Sequence, residues 1–183
     1  MIKFIQHSSP QYPPRTYENA SADATIAFAF NFHTPGEILT KDSVRTQGKL
    51  YLPIKVKLDG YLEPRKIDLC ATDLSNNNVS TLNIAGNQLV TALKNGYNQH
   101  AIDEIVYQHL YCIFSSPEFK TEITLIRSGG QSGFDEAGLK AAVRLGIPAL
   151  CLCPKGWRFA DANGNDVRNE EAFKNRFPKE FVM

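Results

Sequence analysis

The chain has 183 residues, 43% of them hydrophobic, 10% aromatic and 21% charged, which suits one domain with a buried core. Its 20 Lys and Arg against 19 Asp and Glu give a net charge of +1, so overall charge argues against a nucleic-acid or anionic-membrane partner. No apolar run approaches the roughly 18 residues of a membrane-spanning helix, and Met1 to Ile5 passes directly into polar sequence rather than a secretory leader. The expectation is a soluble, cytoplasmic protein.

In chain order, residues 7–21 (HSSPQYPPRTYENAS) hold three prolines and little periodicity, which predicts an extended segment on the surface. Residues 24–30 (ATIAFAF) predict a buried strand of the kind found in parallel sheets. A turn at Thr34-Pro35-Gly36 leads to a short helix with Ile38, Leu39 and Val44. Residues 49–56 predict a second strand, with Pro53 favouring an edge position. Residues 68–80 read as a polar connection with helical character early on. Residues 80–87 predict a third strand, followed by a helical region broken near Asn95-Gly96. Ile102, Ile105, Val106, Leu110 and Ile113 recur at three-to-four-residue spacing, one apolar helix face. ITLIRSGG and PALCLCPKG supply a fourth and a fifth strand. The tail carries a turn at Asn163-Gly164 and a short helix within residues 169–177. This alternation predicts an α/β domain, Rossmann-like, with a mostly parallel sheet and helices on both faces.

Four cysteines, Cys70, Cys112, Cys151 and Cys153, include no C-x-x-C pair. They read as reduced core thiols, with Cys151 and Cys153 on one face of a strand.

The chemistry concentrates where strands end. In open parallel sheets ligands bind beyond the carboxyl ends of the strands. Here those ends carry residues 31–36, Ala85-Gly86-Asn87, Ser128-Gly129-Gly130 and Pro154-Lys155-Gly156, all small, polar or glycine-rich. The turn Ser128-Gly129-Gly130-Gln131-Ser132-Gly133 feeds a helix whose first N–H groups and positive dipole end favour an anion. It matches neither the P-loop nor the G-x-G-x-x-G fingerprint. Asp135 and Glu136 in the next turn repel a phosphate unless aimed at a ribose hydroxyl, a base edge or a cation, and Lys155 is available to neutralise a phosphate.

The stretch SGGQSGFDEAGLKAAVRLGIPALCLCPKG resembles the opening motif of the molybdenum-carrier family, SGGQTGVDRAAL…GIP…CPKG, within the Rossmann-like SLOG superfamily that also holds the LOG enzymes. That family begins with this motif. Here RTYENASADAT, TPGEILT and TLNIAGN, which resemble its later segments, come first. The resemblance therefore implies a circular permutant forming a single domain over residues 1–183. Residues 1–114 correspond to the family's C-terminal part, 115–122 to the joint, 123–164 to its N-terminal motif and 165–183 to an unmatched tail. SADAT stands where the family has S-D-G-T, so Asp23 aligns after a one-residue slip, and Pro35-Gly36-Glu37 replaces a Gly-Gly or Gly-Thr turn.

The site implied by the resemblance comprises Arg15, Thr16, Asn19 and Asp23; Gly36 and Thr40; Asn83, Gly86 and Asn87; and Ser128, Gly129, Gly130, Gln131, Ser132, Gly133, Asp135 and Lys155. The expected function is binding of a nucleotide or nucleotide-derived phosphate, as a carrier, sensor or sequestering protein. The alternative is an N-glycosidic hydrolase in which Asp135, Glu136 or Asp23 acts near the ribose as base or electrostatic stabiliser. A third reading, carried only by the family's name, is molybdenum-cofactor carriage. No metal ligands are assigned. The partner is a small phosphate-bearing ligand, and the resemblance implies a homo-oligomer, dimer or tetramer.

Overall fold

The computed structural model describes residues 1–57 and 63–182. Along the chain run β1 (Ile2–Gln6), α1 (Tyr12–Asn19), β2 (Ala24–Ala29), α2 (Pro35–Thr46), β3 (Leu50–Lys55), α3 (Pro64–Asn76), β4 (Thr81–Gly86), α4 (Leu89–Lys94) and α5 (Gln99–Ser115). Then follow β5 (Leu125–Ser128), α6 (Phe134–Arg144), β6 (Ala149–Cys153), β7 (Arg158–Ala160), β8 (Asp166–Arg168), α7 (Glu170–Lys174) and a 3-10 turn at Lys179–Phe181. Six strands pair in the order β1-β6-β5-β4-β2-β3, every neighbouring pair parallel, while β7 and β8 form an antiparallel hairpin. This is the expected Rossmann-like α/β architecture. Pro53 lies in β3 at the sheet edge, where a missing N–H costs no ladder bond to a further strand.

Side chains alternate across a strand, so each face of the sheet has its own composition. One face presents Ile26, Phe28, Leu82, Ile84 and Ile126, all fully buried. It packs against α5 and α6: the Phe28 ring lies 5.9 Å from that of Phe134 and 5.4 Å from that of His109. Each such side chain contributes about 1.5–3 kcal/mol when fully buried. The opposite face presents Thr25, Ala27, Asn83, Ala85 and Arg127, small or polar residues from the same strands. There α1 buries Arg15, Thr16 and Asn19 rather than an apolar stripe, and Arg127 Nε donates to Asn19 Oδ1 at 3.3 Å. The polar side chains of this face leave hydrogen-bonding groups between α1 and the sheet.

The break near Asn95-Gly96 separates α4 from α5. Gly96 has φ +83°, and the Asn98 side chain accepts from Ala101 N at 2.9 Å to start the second helix. Cys151 and Cys153 are buried on one face of β6, their sulfurs 3.5 Å apart, and all four cysteines are free thiols.

Two expectations need correction. The proline-bearing segment 7–21 is not wholly extended: residues 12–19 are α1, with Pro13 and Pro14 in its first turn, where a missing N–H removes no intrahelical bond. Residues 68–80 are mostly helix, since α3 continues to Asn76 and buries Ile67, Cys70, Ala71 and Leu74. Two elements were also unexpected: β1, and the β7–β8 hairpin around the foreseen turn at Gly164. The tail belongs to the core. Phe173 is fully buried among Phe4, Trp157, Phe159 and Phe177, with ring centroids 5.5–6.3 Å away. Among the described residues no helix is long and apolar enough to cross a membrane.

Candidate functional site

At the carboxyl ends of β4, β5 and β6 the glycine turn closes around two charged side chains. Arg15 reaches in from α1, and its Nη1 donates to Gly129 O at 2.6 Å and to Leu152 O at 3.5 Å. A Cβ on Gly129 would collide with this guanidinium and with Asp135 Oδ2, so glycine there makes room for the pair. Gly130 turns with φ +67°, and a Cβ would strike Cys151 Sγ and the Phe173 ring. Burial raises the Asp135 pKa to about 6, against the opposing pull of Arg15 and of backbone hydrogen bonds from Gln131 and Gly86. At neutral pH Asp135 is an anion beside a cation.

Several amides of the turn and of the start of α6 have partners within the protein. Gly133 N donates to Gln99 Oε1 at 2.7 Å, Phe134 N to Asn87 O at 3.3 Å and Glu136 N to Gln131 O at 3.0 Å, while Gln131 N–H serves Asp135. These amides are engaged inside the protein. The turn also fixes a carboxylate and an arginine at the rim.

Three adjoining clefts meet at Tyr12 on this rim. One, of about 300 Å³, lies between Arg15, Gln131 and Pro154 and the β7–β8 hairpin, which contributes Arg158, Phe159 and Asp166. A second, of about 380 Å³, lies between Tyr12, Pro35, Gly36, Glu37, Leu39 and Asn87. Gln88 borders both. The third is a crevice of about 20 Å³ leading down between α1 and β4. The two larger volumes lie in the range of small-molecule sites.

Charge is distributed unevenly along the rim. Arg158 stands at the outer wall of the first cleft, 2.7 Å from Asp166. Glu37, at the second, is 3% exposed. Its N–H is capped by Thr34 Oγ1 at 3.4 Å, and its Oε1 accepts from Asn87 Nδ2 at 3.3 Å. Its Oε2 is buried without a hydrogen-bond partner. Burial, reinforced by the charge of Asp135, raises the Glu37 pKa to about 8, so this carboxyl is largely protonated at neutral pH. Asn87 is a latch: its Oδ1 accepts from the Phe30 and Asn31 amides at 2.9 and 3.1 Å, fixing the loop before α2.

Of the residues expected at the site, Arg15, Thr16, Asn19, Thr40, Asn83, Gly129 and Asp135 line the crevice, Gly36, Gly86 and Asn87 the second cleft, and Arg15 and Gln131 the first. The others are placed differently. Asp23 precedes β2, at the opposite end of the sheet. Burial alone would raise its pKa, but hydrogen bonds from Thr81 and Ser80 bring it down to about 2. The Ser128 hydroxyl donates to Ile84 O at 2.6 Å inside the core, and Ser132 Oγ donates to Ala160 O at 2.6 Å, holding the hairpin. Gly130 and Gly133 shape the turn from behind. Lys155 sits on an exposed turn outside the three clefts, whereas Arg158 lines the first.

Glu136 points away from the rim. It lies between Lys140 Nζ at 2.6 Å and Arg176 Nη1 at 2.7 Å, 3% exposed, and lines none of the three clefts. Arg176 also donates to Gly130 O at 2.7 Å. Glu136 therefore joins the tail to the glycine turn. Among the described residues no group of three or more His, Cys, Asp or Glu side chains is arranged to hold a metal ion.

Sequence reasoning missed Tyr12, Glu37, Gln88 and Arg158. The Pro13-Pro14 pair signals a helix start that would have turned Tyr12 toward the rim. Thr34-x-x-Glu37 has the spacing of a capping box, which conceals a buried carboxyl as an ordinary cap. Comparison with protein-family models, curated proteins and solved structures returned no match.

Proposed function

We propose that the protein binds a nucleoside monophosphate, or a nucleotide-derived phosphate of similar size, in the rim cleft and holds it as a carrier, sensor or sequestering protein. The observation that carries this reading is the junction at Tyr12, where a cleft bearing two guanidinium groups opens into one bearing a buried carboxyl and the apolar Pro35 and Leu39. A phosphate suits Arg15 and Arg158, since guanidinium matches phosphate oxygens in pairs. An uncharged base suits the second cleft, where the carboxyl of Glu37 donates or accepts hydrogen bonds in its neutral form. The Tyr12 ring, 39% exposed between the two, offers a stacking surface.

We further propose that the chain is a circularly permuted relative of the molybdenum-carrier family. Supporting this, the late strands β5 and β6 lie inside the sheet between β4 and β1, and segments from both halves of the chain line one crevice.

The raised pKa of Glu37 favours a second reading, N-glycosidic hydrolysis. A protonated Glu37 would deliver its proton to the departing base as the C–N bond breaks, water would add its oxygen to the sugar carbon and release a proton that restores Glu37 through solvent, and ionised Asp135 would stabilise the positive charge. Titration calorimetry with nucleoside 5′-monophosphates, followed by chromatography for free base, separates the readings. Binding with intact ligand recovered supports the first, release of base the second, and absence of both at about 1 mM, the weak end of specific affinity, overturns both.

A further inference from the structure

The crevice beneath Tyr12 has a chemistry distinct from the two larger clefts. Asn83, at the middle of β4, is 2% exposed. Its Nδ2 donates to Thr25 Oγ1 at 3.2 Å, while its Oδ1 is buried with no hydrogen-bond partner. Asn83 lines the crevice, and Oδ1 is the polar atom of its side chain that has no partner. The neighbouring hydroxyls have directed their protons elsewhere: Thr16 Oγ1 donates to Tyr12 O at 3.2 Å and Thr40 Oγ1 to Gly36 O at 3.0 Å. Both oxygens keep acceptor capacity. The other polar side chains in the wall are Tyr12, Asn19, the carboxyl of Asp135 and the guanidinium of Arg15.

Three properties select the occupant. A volume of about 20 Å³ admits one water-sized group. Arg15 disfavours a cation, and Asp135 with Asn83 Oδ1 disfavours an anion. A group that donates one hydrogen bond and accepts another, a hydroxyl, satisfies both sides. The unpartnered Oδ1 gives the choice energetic force, since a buried acceptor without a partner is costly and one with a partner is not.

We propose that this crevice is a hydroxyl subsite, taking a sugar hydroxyl of the ligand with Asn83 Oδ1 as its acceptor, so that the protein selects ribonucleotides over deoxyribonucleotides. The inference rests on the nucleotide-binding reading above and adds to it the sugar that is recognised. Asn83 is then a specificity-determining residue placed in the middle of a strand, where loop-centred searches for a binding site do not look.

The test compares adenosine, guanosine, cytidine and uridine 5′-monophosphates with their 2′-deoxy and 3′-deoxy counterparts by titration calorimetry on the intact protein. The expected result is that, for any ribonucleotide bound, one of its deoxy forms binds at least ~10-fold more weakly, the scale on which a hydrogen-bonding site rejects an analogue lacking the group. In Asn83→Leu, checked for native circular dichroism, that ratio should shrink to about 2-fold or less. Equal affinity for all three forms in the unaltered protein would mean that the crevice holds only solvent, which overturns the subsite and leaves the cleft reading standing. A ratio that persists in folded Asn83→Leu also overturns it. If no nucleotide of any form binds, the cleft reading fails and the subsite fails with it. The comparison in unaltered protein decides the matter even where Asn83→Leu does not fold.

Discussion

Glu37 shows how much one side chain reveals when its surroundings are complete. Its position at the start of α2 favours the ionised form through the helix dipole, yet burial and Asp135 outweigh this and raise its pKa to about 8. The groups facing it are Asp135 from α6, Tyr51 from β3 and Tyr12 from α1. Because the folded pKa exceeds the unfolded value, this group's contribution to stability is complete below about pH 4.5 and is lost as pH rises through about 8. Each unit of displacement corresponds to about 1.4 kcal/mol, so the loss amounts to a few kcal/mol. Chemical denaturation between pH 5 and 9 should show wild-type stability falling through this range, and Glu37→Gln, which keeps an acceptor for Asn87 and cannot ionise, should remove most of the slope. An unchanged slope in the variant would assign the pH dependence to another group. Glu136, two cations in contact with it, should behave as a structural residue: Glu136→Gln should lower stability without altering ligand affinity by more than about 2-fold, since its side chain lines none of the three clefts and the backbone bond to Gln131 O is kept.

At the scale of elements, α1 explains why the site was only partly legible. Helices are recognised in sequence by apolar residues at three-to-four-residue spacing. In α1 the inward positions are Arg15, Thr16 and Asn19, because the sheet face it covers is itself polar, with Thr25, Asn83 and Arg127. The pattern is a helix with its polarity reversed, and it reads as surface. Elements packed on the apolar face, such as α5 with Ile102, Val106, Leu110 and Ile113, were legible for the opposite reason. The tail was legible as a turn and a helix, but its function was not, since ring contacts between Phe4 and Phe173, at opposite ends of the sequence, leave no local mark. Phe173 packs against Phe4, and Arg176 holds both Glu136 and Gly130 O. Phe173→Ala should therefore cost about 3–5 kcal/mol. Because Gly130 backs onto the same ring, it should also weaken ligand binding although Phe173 lies outside the clefts. Thermal unfolding with and without AMP measures both effects. Loss of stability with undiminished affinity would show that the glycine turn keeps its shape without the tail.

On the scale of the whole molecule, the architecture was readable because it depends on the alternation of strands and helices, which chain order preserves. The rim was half-readable. Strand ends announced themselves through Gly86-Asn87, Ser128-Gly129-Gly130 and Pro154, but the cation on the outer wall of the first cleft comes from Arg158, on a hairpin of three-residue strands too short to show periodicity. The arrangement of Arg15 and Arg158 at one cleft and the neutral carboxyl of Glu37 at the next emerges only when residues more than a hundred positions apart are brought together. The claim that unites these features is that one ligand spans the rim across Tyr12. Native mass spectrometry of the intact protein titrated with nucleoside 5′-monophosphates tests it most directly. One adduct per chain is expected, weakened ~10-fold or more by Arg158→Glu, which reverses a charge exposed to solvent. Absence of any adduct at about 1 mM, or an adduct whose affinity is indifferent both to Arg158→Glu and to Tyr12→Ala, would contradict it.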